Sequence, residues 1–477
     1  MNVVVVITDS LRADHVGAYG SHVKTPNLDT LAAEGTTFVN AYSENLPTMP
    51  TRRAWWTGKY HFHRAGWQPM ANSDYLLAEI LWDRGWTTAM ISDVYHMHKT
   101  VYNCGRGFDT VEWIRGQEYD PWVVDRSIPV DVENSDVHRL KSHAKGRESD
   151  ETWRSHFQQY LRNQTRVRSE EETYVARTLR QAARWVDDIG SQSEDPFFLW
   201  VDCFDPHEPW DAPEPYRHMY TDPDYDGQDI IDPVPGSVEG YMNPQEVENT
   251  KNLYAGEVTL VDKWVGTLFD KLKERGLWDD TLIVHSSDHG EPFGEHGYVR
   301  KAFPRGYEEL TRVPLIIRHP DGIGRGQRPE GLVQAPDMLP TLLELMDIDA
   351  TKLEFTYTEP QQSGTSRNIF PQDLPTIRNN VILTGKSMVP LMTGEKDEVR
   401  DYIFGGHHNR EWFIKSHEWS YLMPIDGSRP SELFNLTVDP GEQTNIIADN
   451  QAKADEMELT VRRFLHELEL QESGEVS

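Results

Sequence analysis

The chain opens on "NVVVVITDS", an apolar run with no polar alternation. Such a run predicts a strand over residues 2–8 covered on both faces. "TPNLDTLAAEG" then carries apolar positions at helical spacing and stops at Gly35, which predicts a helix. "YLLAEILWDRGWTTAMISD" reads as helix, glycine break and strand. "PFFLWVDCF" (196–204) and "TLIVHSSD" (281–288) are short apolar strands ending in polar residues, and helical periodicity fills 170–189 and 247–275. Strands alternating with helices predict an α/β fold, a mostly parallel sheet flanked by helices. Ligands of such sheets gather beyond the carboxyl ends of the strands. Asp9, Asp205, His207, Asp288 and His289 all fall at or just past such ends.

Residues 113–170 are polar, tryptophan-containing and weakly periodic, so they read as an insertion, either a pocket wall or a surface excursion. Residues 205–248, rich in Pro, Asp and Tyr, read as a long loop. From about 400 the texture changes to short strands, "DYIFGG", "EWFIKS" and "WSYLMP", followed by a closing helix at 452–468. The expected organisation is a catalytic domain over 1–395 and a small C-terminal domain over 396–477 with an antiparallel sheet and one helix.

Composition narrows the class. A hydrophobic fraction of 37% and an aromatic fraction of 10% suit a globular chain of 477 residues. No apolar run reaches the length of a membrane span. The opening run is short for a signal peptide and lacks a basic lead, so a cytoplasmic protein is expected. Cys104 and Cys203 make no disulfide framework, and Cys203 reads as inert core. A net charge of −31 argues against nucleic acid as a partner and requires a locally positive site for any anionic substrate. Self-association is left open.

Asp9 ends the first strand and Asp288-His289 ends another, so two strand ends offer ligands to one divalent cation. Oxygen ligands alone suit magnesium or calcium; an imidazole shifts the preference toward manganese or zinc. Each acid alone could equally be a helix cap. In "PTMPTRRAWWTG", Pro50 fits a first helical turn and puts Thr48 at the helix N-terminus, where free N–H groups favour an anion. Arg52 lies one turn along the same face, with a fork that could hold two oxygens of a tetrahedral oxyanion. Thr48 is therefore either a cap or a nucleophile. A divalent metal can lower the pKa of bound water from about 15.7 to about 7 and acts on a hydroxyl in the same sense. His207, in the Pro-rich turn "DPHEPW", suits a general acid, and Lys301 suits neutralisation of a leaving oxygen. His61 and His63 either line the pocket or pack beside Trp67, and Tyr95, His96 and His98 are likewise open.

These pieces in this order resemble the sulfatase branch of the alkaline phosphatase superfamily. "NVVVVITDSLRADHVGAYG", "PTMPTRRAWWTGKY", "PFFLWVDCFDPHEPWDAPEPY", "SDHGEPFGEHGYVRK" and "ELFNLTVDPGEQTNI" carry the likeness almost end to end. The resemblance implies an alkaline-phosphatase-like domain. It also implies a nucleophile slot at Thr48, an invariant arginine at Arg52, metal ligands at Asp9, Thr48, Asp288 and His289, and roles for His207 and Lys301.

Three departures shape the expected chemistry. Sulfatases oxidise the motif cysteine or serine to formylglycine, and threonine, with a methyl on its carbinol carbon, cannot become that aldehyde. The second acid usual after the first strand is Ser10 here. The Lys-x-His pair of sulfatases is replaced by Asp93 and Tyr95, with His96 one step late, and phosphonate monoester hydrolases of the same superfamily also lack it. Asp93, Tyr95 and His96 are therefore expected to bind substrate.

The expected function is metal-dependent hydrolysis of a small anionic phosphoric ester, a phosphodiester or phosphonate monoester by preference, with Thr48 as nucleophile. The alternatives are a sulfuric ester hydrolase working without formylglycine and a non-catalytic anion-binding relative.

Overall fold

A computed structural model describes residues 1–130, 132, 149–301, 305–358 and 376–473. The part of the 113–170 insertion between 133 and 148 lies outside the described residues.

Seven strands form the central sheet: β1 (Asn2–Thr8), β2 (Thr36–Thr37), β3 (Thr87–Ser92), β4 (Thr110–Trp113), β5 (Phe197–Cys203), β6 (Thr281–Ser286) and β7 (Leu315–Arg318). Their order across the sheet is β2-β7-β6-β1-β5-β3-β4. β1 sits at the centre and pairs in parallel with both β5 and β6. β3 and β4 continue the parallel register, while β7 and β2 close the other edge antiparallel. Successive side chains of a strand face opposite ways. Val4 and Val6 accordingly enter one core with helices Tyr174–Asp188 and Pro244–Glu274, and Val3, Val5 and Ile7 enter the other with helices Met49–Thr57 and Met338–Leu345. Two covered faces explain why β1 is apolar from Val3 to Ile7 and buried throughout.

Within the insertion, Ser149–Gln164 is helical and buries Phe157 and Tyr160. A hairpin pairs Glu354–Thr358 with Thr376–Asn380. Neither was expected from the sequence. Nearer the C-terminus, strands Ile403–His407, Glu411–Lys415, Trp419–Pro424 and Glu432–Asn435 form one antiparallel sheet, followed by helix Gln451–Ser473. Its apolar layer is anchored where Phe404 stacks on Phe464 and Phe464 meets Tyr60 edge-on. Among the described residues no helix is long and apolar enough to cross a membrane.

This small sheet bears on the segment that leads to Thr48. Gly406 N–H donates to the Glu44 carbonyl at 2.9 Å, and Leu46 N–H donates to the Gly406 carbonyl at 3.1 Å. A Cβ on Gly405 would stand 2.4 Å from the Glu44 carbonyl oxygen, so only glycine allows that approach. The Glu44 carboxylate, fully buried, accepts the N–H groups of His61 at 2.5 Å and Phe62 at 2.7 Å. Burial pushes this carboxyl from 4.5 up to about 8, against the pull of those two N–H groups. Between those values the folded chain keeps a proton that the unfolded chain has released. Its contribution to stability is therefore present at acid pH and lost as pH rises from about 4.5 to about 8. Glu44→Gln removes this titration. Urea midpoints measured across that window should fall less steeply with pH in the variant than in the parent; parallel profiles would contradict this account of Glu44.

Candidate active site

The site forms where β1, β5 and β6 end side by side. Asp9 follows β1, with its N–H donating to the Cys203 carbonyl at 2.9 Å, and Asp288 and His289 follow β6. Ser10, in a left-handed conformation with φ of 63°, turns its N–H to Asp288 Oδ1 at 3.1 Å. Leu11 N–H donates to Ser287 Oγ at 2.8 Å and ties the two turns together. Asp9, Asp288 and His289 are all buried, and one possible ligand atom from each lies within 4.8 Å of the others.

Thr48 completes the cluster. It is the residue before helix Met49–Thr57, yet its side chain makes no capping hydrogen bond. Its Oγ1 lies instead 3.4 Å from His289 Nε2. Its φ of 43° is unusual for a β-branched residue, and backbone strain of this kind costs about 1–3 kcal/mol. The plain capping role is thus not what this hydroxyl does.

His289 Nδ1–H donates to the Gly290 carbonyl at 2.8 Å, which fixes the tautomer and leaves the Nε2 lone pair facing the carboxylates. Nε2 stands 3.6 Å from Asp288 Oδ2 and 3.8 Å from Asp9 Oδ1. Burial holds the imidazole down at about 4, so it is neutral at pH 7. Burial and the charge of Asp288 push the Asp9 carboxyl well up, whereas His289 and Arg52 hold Asp288 down despite its burial. Two carboxyl groups, an imidazole lone pair and a hydroxyl oxygen converge, and that donor set fits one divalent cation.

Arg52 is placed otherwise than expected. Its guanidinium is fully buried and faces carboxylates, not open space for an oxyanion. Nε donates to Asp202 Oδ2 at 2.9 Å, Nη2 to Asp202 Oδ1 at 2.5 Å and to Asp9 Oδ2 at 3.2 Å, and Nη1 to Asp288 Oδ2 at 2.7 Å. The fork is taken by the acids at the ends of three adjacent strands, so Arg52 orients them.

Lys301 reaches the same cluster from the other side. Its Nζ donates to Glu291 at 2.8 Å, to Ser10 Oγ at 3.0 Å and to Glu208 at 3.2 Å. Ser10 Oγ in turn donates to Asp9 Oδ1 at 3.1 Å. Despite burial, Glu208 and Glu291 raise the Lys301 pKa, so it stays an ammonium. His207 is buried against Phe204, with ring centres 3.9 Å apart, and its Nδ1–H donates to the Glu208 carbonyl at 2.9 Å. Burial drives its pKa down to about 3, which leaves a neutral ring with a lone pair on Nε2. A neutral imidazole suits proton acceptance rather than the general-acid role expected of it.

The substrate-binding set needs correction. Asp93 is fully buried and accepts Phe204 N–H at 2.7 Å, bracing the ends of β3 and β5. Burial lifts its carboxyl to about 7, so Asp93 does not carry a full negative charge at neutral pH. Tyr95–His98 form a 3₁₀ turn. Tyr95 stacks on Trp113, and Lys99 Nζ lies 4.2 Å from the Tyr95 ring centre. His96 Nε2 lies 3.0 Å from Glu118, whose charge also acts on His207, so this turn borders the site without touching the metal-ligand cluster. His98 is used by the Ser92 carbonyl at 3.0 Å. His61 meets Thr57 Oγ1 at 2.8 Å inside the core, and His63 packs on Phe62. Trp67 lies edge-on to His96 rather than beside either.

Four charged residues of the surrounding network went unread in the sequence: Asp202, Glu208, Glu291 and Arg300, the last paired with Glu208 and Asp232. Asp202 had a signal, an acid inside the apolar run "FFLWVDCF", which demands a buried cation.

Known proteins resemble this chain in sequence and in fold. A family model described as Sulfatase matches residues 1–348. An arylsulfatase of Clostridium perfringens (strain 13 / Type A) is 25% identical over 510 residues, covering 99% of this chain and 95% of its own. The multifunctional alkaline phosphatase superfamily protein PehA of Trinickia caryophylli is 28% identical over 394 residues, 72% of this chain and 73% of its own. The crystal structure of the phosphonate monoester hydrolase of Agrobacterium radiobacter superposes with a TM-score of 0.69 at 22% identity, covering 98% of this chain and 95% of that one. The fold and the matches define a hydrolase of sulfate or phosphate esters. The chain belongs to the sulfatase family.

Removing one partner from a buried charge network leaves the others uncompensated, at about 3–5 kcal/mol. Arg52→Met should therefore lose stability of that order in urea unfolding. A variant as stable as the parent would show that Arg52 does not hold the three carboxylates.

Proposed function

We propose that the chain hydrolyses phosphorus esters carrying one negative charge, phosphodiesters or phosphonate monoesters, with Thr48 as nucleophile. The observation that carries this reading is the Thr48 hydroxyl, uncapped at a helix N-terminus and 3.4 Å from His289 Nε2 beside two buried carboxylates. Asp9, Asp288, His289 and Thr48 are the residues that would hold a divalent cation, with manganese or zinc favoured by the imidazole. Such a cation lowers the pKa of a neighbouring hydroxyl and offsets the charge of the two acids.

Thr48 Oγ1, its proton given up to solvent, bonds to phosphorus as the P–O bond to the ester oxygen breaks and that oxygen leaves with the electron pair, giving a phosphothreonine. The N-terminus of helix Met49–Thr57 faces the non-bridging oxygens with free N–H groups. Lys301 neutralises the departing oxygen by its charge, and Ser10 is the uncharged partner it can exchange for that oxygen. Water cleaves the phosphothreonine, and the His207 Nε2 lone pair is suited to take its proton.

Two features favour a monoanionic phosphorus ester. Arg52 is neutralised by three acids and Lys301 is shared by two more, so little positive charge is left for a dianion. Sulfate monoesters are also monoanionic, but easy release of sulfate in this family goes through formylglycine, which Thr48 cannot become.

Loss of a nucleophile should be severe: kcat/KM of Thr48→Ala is expected to fall at least ~1000-fold. Thr48→Ser, which keeps a hydroxyl, should retain most phosphoester turnover. Activity of the alanine variant within about tenfold of the parent would mean that water attacks directly.

Substrate class is read in one competition assay with matched nitrophenyl esters. The diester or phosphonate monoester should rank first, the phosphate monoester next and the sulfate last, each tenfold step being about 1.4 kcal/mol. A sulfate ranked first would overturn the reading.

A further inference from the structure

Glu208 lies outside the metal-ligand cluster, yet it touches both side chains that serve the reaction there. Its carboxylate is buried, 2% exposed. Oε1 pairs with Arg300, while Oε2 lies 3.2 Å from Lys301 Nζ and 3.4 Å from His207 Nδ1. Its own carbonyl oxygen accepts the His207 Nδ1–H. Arg300 and Lys301 are chain neighbours, and in an extended segment neighbouring side chains point to opposite sides. Arg300 breaks that alternation, because its φ of 58° is left-handed and brings both side chains to one carboxylate. Arg300 is held from behind by Asp232 and by the Pro233 carbonyl at 3.2 Å. Two adjacent pairs, His207-Glu208 and Arg300-Lys301, are thus locked across each other through one carboxylate.

We propose that Glu208 is a positioning residue for the leaving-group side of the reaction: it fixes where the Lys301 ammonium stands and which nitrogen of His207 is free. This rests on the reading of Lys301 and His207 given above. The carboxylate charge matters as well as its shape. Both oxygens face cations, so an amide in this place must turn its NH₂ against either Arg300 or Lys301. Glu208→Gln therefore breaks the lock whichever way the amide settles, while it preserves volume. Once loosened, Lys301 assists a poor leaving group less. A good leaving group needs little assistance and is affected least.

The experiment compares two leaving groups in two ester classes. Methyl 4-nitrophenyl phosphate and methyl phenyl phosphate form one pair; 4-nitrophenyl sulfate and phenyl sulfate form the other. For Glu208→Gln, kcat on the phenyl ester should fall about 100-fold, the scale of a lost proton-transfer or charge partner, and on the nitrophenyl ester by less than about fivefold. The ratio between leaving groups is the readout, since a merely structural defect slows both equally. Equal losses on both esters would overturn the proposal.

A preference of the parent enzyme for the sulfate pair would count against the phosphorus-ester reading and leave the Glu208 ratio measurable on sulfates. If the glutamine variant does not fold, Glu208→Asp serves in its place. Aspartate keeps the charge but is one methylene too short to hold Arg300 and Lys301 together, and the same shift in ratio is expected. A crystal structure of either variant with the Arg300, Lys301 and His207 contacts all unchanged would also overturn it.

Discussion

Arg52 is the constraint on which the rest of the site depends. Three adjacent parallel strands each bring an acid to the same edge: Asp9 after β1, Asp202 inside β5 and Asp288 after β6. Three carboxylates so close, with no exposure to water, repel one another and lose their hydration. One guanidinium reaches all three because its donors fan out in a plane; a lysine ammonium at the same place is a point charge and cannot span them. Arg52 belongs to helix Met49–Thr57, so the same contacts fix that helix against the strand ends. Thr48 is carried into place by the helix, four residues upstream of the arginine that locks it.

A second shell of charge repeats this logic nearer the surface. Lys301 and Arg300 lie among Glu208, Glu291 and Asp232, and Ser10 links Lys301 to Asp9 by two hydrogen bonds. The net charge of −31 is therefore not a guide to the field inside the site. Locally each cation is matched to fixed acids, and Lys301 also holds one uncharged partner, Ser10 Oγ.

The central sheet was legible because strands covered on both faces must be apolar throughout, as "VVVVI" and "FFLWV" are. The convergence of Asp9, Asp288 and His289 was legible because strand ends in such a sheet converge whatever connects them. Side-chain direction was not. Helical spacing put Arg52 on the same face as Thr48, but only the neighbouring acids decide where a long flexible side chain points, and two of them lie about 150 and 240 residues away in sequence. Asp93 and Tyr95 failed for a related reason. After β3 the chain enters a 3₁₀ turn rather than staying extended, so alternation no longer tells which side chain faces the site. Helix Ser149–Gln164 was missed because its aromatic and aliphatic positions, Trp153, Phe157, Tyr160 and Leu161, are helically spaced inside a segment whose average is polar.

Threonine in the nucleophile slot has a physical cost and a physical use. A left-handed φ of 43° is harder on a β-branched residue than on serine or cysteine. The conformation persists because the helix behind it is buried along its whole length and pinned through Arg52. In return, branching at Cβ leaves few rotamers, so the hydroxyl is held toward His289 with little rotational freedom. The methyl that restricts the rotamer is also the group that bars oxidation to an aldehyde. One substituent thus closes the family's usual route to sulfate release and, under the proposed function, stiffens the hydroxyl for direct attack on phosphorus.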